Sequence, residues 1–362
     1  MRESPERRNS MEEHDVPEER EEAPGLDLAR FRDFFDNACP GAVVGPLRAE
    51  VIAGGKSNLT YHVDDGESSW VVRRPPLGHV LATAHDMSRE HRVMTALHDT
   101  DVPVPRTYAL CEDPDVIGAP FFVMEKVHGT PYRLASDLEP LGLDRVRSIS
   151  EAMVETLAVL HRVDPVAVGL GDFGRPEGFL ERQVRRWKKQ LDASSTRDLA
   201  GVEQLHASLE DNVPAGSAPG VVHGDFRLDN LLVTDDRVAA VIDWEMATLG
   251  DPLTDVALLL VYQQMGDLDI DGPGAAHVVA DASTAPGFLS RDEMLDRYAQ
   301  TTGRDLSAMG FYTGLAYFKL AVILEGIHYR YTHGQTLGAG FDNVGAVVEP
   351  LIAAGINSLK ER

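Results

Sequence analysis

Cysteine is nearly absent from this chain of 362 residues, which carries only Cys39 and Cys111. The two show no C-x-x-C or metal-ligand spacing, which excludes a disulfide framework and fits a reducing compartment. Lysine is also scarce, with six residues (Lys56, Lys126, Lys188, Lys189, Lys319 and Lys360) and arginine supplying the rest of the positive charge. No uninterrupted apolar stretch reaches the roughly 20 residues that a membrane-spanning helix needs. The most apolar helix candidate, residues 311–327, contains Lys319 and Glu325. Residues 1–26 are crowded with Glu and Arg and lack the apolar centre of a signal peptide, so they read as a disordered acidic tail. The location expected from these features is cytoplasmic, without a membrane partner. Internal repeats are absent.

Positive charge is short overall. Against 34 basic residues stand 58 acidic ones, for a formal net charge of −24. Nucleic acid is disfavoured as a partner, because its phosphates are met by clustered Lys and Arg. A cationic substrate would suit the balance, although a solvated acidic face or a salt adaptation is the plainer reading. With 43% hydrophobic residues the chain can bury a large core, as one big domain or two lobes.

What the sequence does contain is concentrated in Val221-Val222-His223-Gly224-Asp225-Phe226-Arg227-Leu228-Asp229-Asn230 and the segment that follows. Two apolar runs, 231–233 and 238–242, flank the polar turn Thr234-Asp235-Asp236-Arg237 and predict an antiparallel hairpin. That hairpin brings Asn230 and Asp243 together at its open end. An amide oxygen and a carboxylate are hard ligands suited to Mg²⁺, which takes one or two protein groups and completes its shell with water and substrate phosphates. Asp225 stands beside such a metal. One carboxylate to accept the proton of an attacking hydroxyl, with an Asn and a second Asp to hold the metal against ATP, is the division of labour in phosphoryl transfer.

The string H-G-D-x-x-x-x-N followed by I-D-W resembles the catalytic and metal loops of the aminoglycoside phosphotransferase and choline kinase branch of the protein-kinase-like fold. The resemblance implies an α+β, bilobal architecture: a small β-rich lobe over residues 27–124, a hinge at 125–129 and a larger helical lobe over 130–362. It makes Asp225 the catalytic base and Asn230 and Asp243 the magnesium ligands, with ATP in the cleft. Residues 54–58 (Gly-Gly-Lys-Ser-Asn) would form the loop that covers the phosphates, with Ser57 and Asn58 in contact. At the hinge, the Glu125 carbonyl and the Val127 N–H would meet adenine, with Met124 behind the ring.

A further pair follows from periodicity. Arg73 shares a strand face with Val71, and Glu90 lies on the same helical stripe as Met87, Met94 and Leu97. A carboxylate on an apolar stripe needs a cation, and in kinases a strand lysine pairs with a helix glutamate and holds the α and β phosphates. Here arginine takes the lysine's place, a departure that keeps the chemistry through its bidentate fork. Gly250-Asp251-Pro252 is a strong helix start with Asp251 as N-cap, and both Asp251 and Asp255 are expected to be scaffold.

D-F-G and A-P-E, the strings of protein kinases, are missing, so the expected acceptor is a small-molecule hydroxyl. The segments 72–76 and 244–252, Tyr317-Phe318-Lys319 and Gly326-Ile327-His328 are most similar to the kinase-like portion of certain large acyl-CoA dehydrogenases and their stand-alone bacterial relatives. That likeness implies hydroxyacyl acceptors at least as strongly as aminoglycosides. Two alternatives stay open: a pseudokinase that binds ATP without transfer, and a metallohydrolase built on His223, Asp225 and Asp243. The oligomeric state is left open.

Overall fold

The computed structural model describes residues 23–52, 58–78, 86–194, 197–266, 281–335, 341 and 343–360. Its larger sheet follows from side-chain alternation. Strand β3 (Ser69–Arg74) and strand β5 (Phe121–Glu125) pair antiparallel, and both of their faces are covered. Trp70, Val72, Phe121 and Val123 pack with Phe31 and Phe35 of helix α1 (Leu28–Ala38). Val71, Phe122 and Met124 join the other core, with Met87, Val93, Met94 and Leu97 of helix α2 (Met87–Leu97). Burial on both faces is why these strands read as continuous apolar runs. Strands β1 (Arg48–Val51), β2 (Leu59–Asp64) and β4 (Thr107–Cys111) complete the sheet in the order β1-β2-β3-β5-β4.

The same alternation separates two arginines. Arg74 turns to the α1 side, where Nη1 donates to the carbonyls of Gly25 (2.5 Å) and Ile117 (2.9 Å). Arg73 turns to the α2 side. Asp86 caps α2 by accepting from the N–H groups of Ser88 (3.0 Å) and Arg89 (3.2 Å), a contribution of about 1 kcal/mol that also fixes the helix register under β3.

Beyond the sheet the chain is mostly helical. Helices α3 (Ala135–Leu138), α4 (Leu143–Leu160), α5 (Phe179–Ser194) and α6 (Val202–Asp211) precede a group of short strands: β6 (Gly220–Val222), β7 (Leu231–Thr234), β8 (Arg237–Val241) and β9 (Thr248–Gly250). Helices α7 (Leu253–Gly266), α8 (Arg291–Thr302), α9 (Met309–Thr332) and α10 (Val344–Ser358) follow. The hairpin β7–β8 turns on Asp235 and Asp236, both at positive φ (49° and 60°), as a two-residue turn of the right twist requires. Helix α9 is long and apolar enough to cross a bilayer by length and composition, yet 78% of its most apolar window is buried inside the protein. It is a core helix packed among α5, α6, α7 and α10.

The run from Pro103 to Cys111 reads from sequence as one strand, yet β4 begins at Thr107, because the Pro103 carbonyl accepts from Val241 N–H (2.8 Å) and ties that segment to the hairpin. His91, which reads from sequence as an exposed helix position, is half-buried near the Phe122 ring.

The connection after β5 is fastened to the hairpin by a two-way bridge, Thr130 N–H to Val233 O (2.9 Å) and Val233 N–H to Thr130 O (3.1 Å). A Cβ on Gly129 would lie 2.8 Å from Leu232 Cβ and 3.0 Å from its carbonyl carbon. Gly129→Ala is therefore expected to destabilise the fold by about 1–3 kcal/mol in urea unfolding. A loss below about 0.5 kcal/mol would mean that the connection yields without strain.

Candidate active site

The site is assembled around one buried guanidinium. Arg73 Nη2 donates to Asp243 Oδ1 at 2.5 Å and lies 3.8 Å from Glu245 Oε2. Its Nε lies 3.1 Å from Glu90 Oε2, a close charge contact without the alignment of a hydrogen bond. Glu90 Oε1 accepts from Trp244 N–H (3.3 Å), and Asn58 Nδ2 donates to Glu245 Oε2 (2.8 Å). The sheet, α2 and the Ile242-Asp243-Trp244 loop thus converge on a single charge cluster. Glu90 is 1% exposed, and Arg73 is 7% exposed. Burial works against the Arg73 charge, but Glu90, Asp243 and Glu245 outweigh it and hold the guanidinium firmly protonated. Burial pushes Glu90 up; Arg73 pulls it back, Asp243 and Glu245 add to the rise, and the result is about 7.

Asp243 has φ +66°, a left-handed conformation that Asp tolerates better than most residues and that aims its carboxylate at Arg73. Gly224 has φ +86°, and a Cβ there would lie 2.8 Å from Met246 O. Between them lies Asp225. Its Oδ1 accepts from Tyr262 OH (3.0 Å) and its Oδ2 from Asn230 Nδ2 (3.1 Å), while Arg227 Nε stands 3.5 Å from Oδ2. Burial, followed by the Asp225 charge, raises the Tyr262 phenol well above its ordinary range, so it stays protonated as a donor. Arg227 also pairs with Asp229 (2.9 Å) and lies over the Tyr262 ring.

The loop is braced from behind. Asp255 accepts from the N–H groups of His223 (2.7 Å) and Gly224 (2.8 Å), and His161 Nε2 meets the same carboxylate at 3.3 Å. His223 Nε2 faces Ile242 O at 3.1 Å, and its Nδ1 faces Asp225 N–H at 3.3 Å. Those partners assign Nε2 as the protonated nitrogen and leave neither nitrogen for a metal. Asp251 caps α7 through Leu253 N–H (3.1 Å) and holds Tyr312 OH (2.7 Å) and Ser217.

Of the residues singled out in the sequence, Arg73, Glu90, Asp243 and Asn58 come together in one cluster, and Asp225 and Asn230 in a bonded pair. Met124 is buried at the end of β5, Glu125 is exposed and Val127 is half-buried beyond it. Ser57 lies outside the described residues. Tyr262, Arg227, Glu245 and Lys319 were not identified as site residues from sequence. Lys319 Nζ donates to Gly224 O at 2.8 Å, and a lysine within an apolar helix was the signal available for it.

The raised Glu90 makes stability depend on pH. Its folded value of about 7 exceeds the ordinary 4.5, so its stabilising contribution is complete below about 4.5 and is lost as pH rises through about 7. The thermal midpoint of the ligand-free chain should therefore fall from about pH 4.5 to about pH 8, and Glu90→Gln should flatten that limb. An unchanged slope in Glu90→Gln would assign the titration elsewhere.

Comparison with known proteins bears on this geometry. The phosphotransferase enzyme family profile matches residues 48–306. Acyl-CoA dehydrogenase family member 11 of Gallus gallus is 34% identical over 327 residues, covering 89% of this chain and 41% of that protein. Its Homo sapiens counterpart is 35% identical over 314 residues, covering 84% and 39%. The chain thus spans about two-fifths of the length of these relatives. Among solved structures, a Ralstonia eutropha protein provisionally named an aminoglycoside phosphotransferase superposes with a TM-score of 0.80 at 33% identity, covering 92% of this chain and 98% of that one. A thermostable mutant of the aminoglycoside phosphotransferase APH(4)-Ia, in ternary complex with ADP and hygromycin B, gives a TM-score of 0.57 at 16% identity over 86% and 94%, a likeness of fold alone. With the profile covering most of the chain and nearly the whole fold matched at 33% identity, the chain belongs to the phosphotransferase enzyme family and has its α+β, bilobal, kinase-like fold.

Proposed function

We propose that this enzyme is an ATP- and Mg²⁺-dependent kinase that phosphorylates the hydroxyl of an acyl-type small molecule. The observation that carries the reading is the bonded arrangement of Asp225 with Asn230, whose carbonyl accepts from Ile242 N–H, the residue before the Asp243 that Arg73 holds. In this proposal the lobes are residues 27–124 and 130–362, joined at 125–129, and the enzyme works in the cytoplasm. Adenine is met by the Glu125 carbonyl and the Val127 N–H, with Met124 behind it and Ser57 and Asn58 over the phosphates.

Asp225 accepts the acceptor's hydroxyl proton. Each of its oxygens keeps a lone pair beyond the one used by Tyr262 or Asn230. Arg73 holds phosphate oxygens while Glu90 keeps its fork oriented. The donor chemistry of Asn230 and Asp243 fits magnesium: Asn230 spends its Nδ2 on Asp225, which leaves Oδ1 as the ligand atom, and Asp243 supplies a carboxylate. Among the described residues no group of three His, Cys, Asp or Glu side chains is placed to hold a metal, which suits an ion that completes its shell with phosphates and water. Mg²⁺, when bound, neutralises charge on the phosphates. His223, with both nitrogens engaged, weakens the metallohydrolase alternative.

Charge beside the catalytic loop favours the acyl-type acceptor. A cavity of about 80 Å³ next to Gly224 is lined by Arg186, Lys319, Gln183 and Trp187, and its one carboxylate, Asp255, is committed to the loop. With Lys319 committed to Gly224, a polycation would still meet the like charge of Arg186 there, whereas a carbonyl or carboxylate oxygen would find a donor in it. The curated relatives, named as acyl-CoA dehydrogenases, support the same class.

Magnesium-dependent ATP turnover should therefore appear with hydroxyacyl compounds, including hydroxyacyl-CoA, and not with aminoglycosides or choline-like amino alcohols. Preferred turnover of an aminoglycoside would overturn the acceptor assignment, and ATP binding without any transfer would favour a pseudokinase. Asp225→Asn should lower kcat by about 100- to 10,000-fold. Tyr262→Phe should cost roughly 10- to 100-fold in kcat, the scale of one hydrogen bond to a charged carboxylate, with KM for ATP unchanged. Equal kcat in Tyr262→Phe would show that the phenol does not orient the base.

A further inference from the structure

Lys319 is an improbable residue for its place. It lies midway along α9, whose neighbouring positions Leu315, Ala316, Phe318, Leu320, Ala321 and Val322 are all buried. Burial lowers its pKa, the Asp225 and Asp255 charges oppose that shift, and Arg186 adds to it. Lys319 itself is partly buried, and a lysine set among so many buried neighbours normally has a carboxylate partner. Lys319 instead donates to a backbone carbonyl, that of Gly224, at 2.8 Å, with Trp187 as its aromatic neighbour at 5.8 Å.

The carbonyl it has chosen belongs to the peptide unit that leads into Asp225. The N–H of Gly224 is held by Asp255 of α7 (2.8 Å) and its C=O by Lys319 of α9 (2.8 Å), so both polar atoms of one glycine are held by different helices. Glycine at φ +86° is the residue whose backbone would otherwise swing most freely. The 224–225 peptide plane sets the direction of the Asp225 Cα–Cβ bond, and a small rotation there moves the carboxylate by an appreciable fraction of a hydrogen-bond length.

We propose that Lys319 is a positioning residue for phosphoryl transfer, fixing from α9 the peptide plane that aims Asp225 at the acceptor hydroxyl. The inference deepens the kinase reading above and rests on it. Lys319 acts through Gly224; it holds the base in one orientation and takes no proton in the reaction. The adjoining cavity of about 80 Å³ gives a small amine room to reach the same carbonyl when the side chain is shortened.

The test compares wild type with Lys319→Met, Lys319→Arg and Lys319→Ala. Lys319→Met should lose about 10- to 100-fold in kcat while KM for ATP stays within about twofold, as expected for misplacement of a catalytic group. Lys319→Arg, which keeps a donor, should recover most of that loss. Propylammonium should raise kcat of Lys319→Ala several-fold and leave wild type unaffected. Hydrogen exchange over residues 221–230 should quicken in Lys319→Met, with the unfolding midpoint changed by less than about 4 °C. Wild-type kcat and exchange in Lys319→Met would overturn the proposal. So would a parallel collapse of thermal midpoint, ATP binding and kcat that neither Lys319→Arg nor propylammonium repairs, since that is the signature of a lysine needed only for folding. If wild type phosphorylates nothing, the kinase reading fails, and the exchange comparison still decides whether Lys319 holds the loop.

Discussion

One guanidinium among three carboxylates is the constraint on which the site depends. Arg73 reaches Glu90, Asp243 and Glu245, and those residues come from a helix under the sheet and from the loop after the β7–β8 hairpin. In a buried setting such charges interact strongly, and leaving any one without its partner is costly. The cluster is net negative even with Arg73 in place, and Glu90 bears the strain as the member pushed up to about 7. The cluster therefore fixes where the two lobes meet while keeping one carboxylate close to neutrality.

The loop around Asp225 is held for a different reason. Its polar atoms are taken up by groups that point inward from the helical lobe: Asp255 on two successive N–H groups, His223 on Ile242 O, and Asn230 on both the carbonyl and the carboxylate of Asp225. A loop so fully bonded has few alternative conformations, which is the condition for aiming a base without reorganisation during the reaction. His161, Tyr298 and Asp255 extend this support into α4 and α8.

Much of this was legible in the sequence because it is written in short-range periodicity. Alternation in β3 separates Arg73 from Arg74, and a heptad-like spacing in α2 turns Glu90 inward. The polar turn at 234–237 dictates a hairpin whose open end brings Ile242 N–H to Asn230 O at 3.0 Å. Tyr262 and Lys319 were not legible as site residues, since they reach the loop across 37 and 95 residues of chain and sit in helices that read only as core. Glu245 was hidden similarly: its partner Asn58 is 187 residues away. Local pattern determines which face a residue occupies; the packing of distant helices determines what that face touches. Ser57, whose assignment came from the resemblance, falls outside the described residues.

The family match ends at residue 306, before α9 begins. The region it covers holds the charge cluster, Asp225 and the hairpin, but not the lysine that grips Gly224 or the tyrosine, Tyr312, that braces Asp251. A fragment trimmed to that shared region would keep the H-G-D-x-x-x-x-N and I-D-W strings and lose two of the hands that hold them. Because Lys319 and Tyr312 sit on one core helix, a change along α9 would reach the Asp225 loop while leaving its signature residues intact.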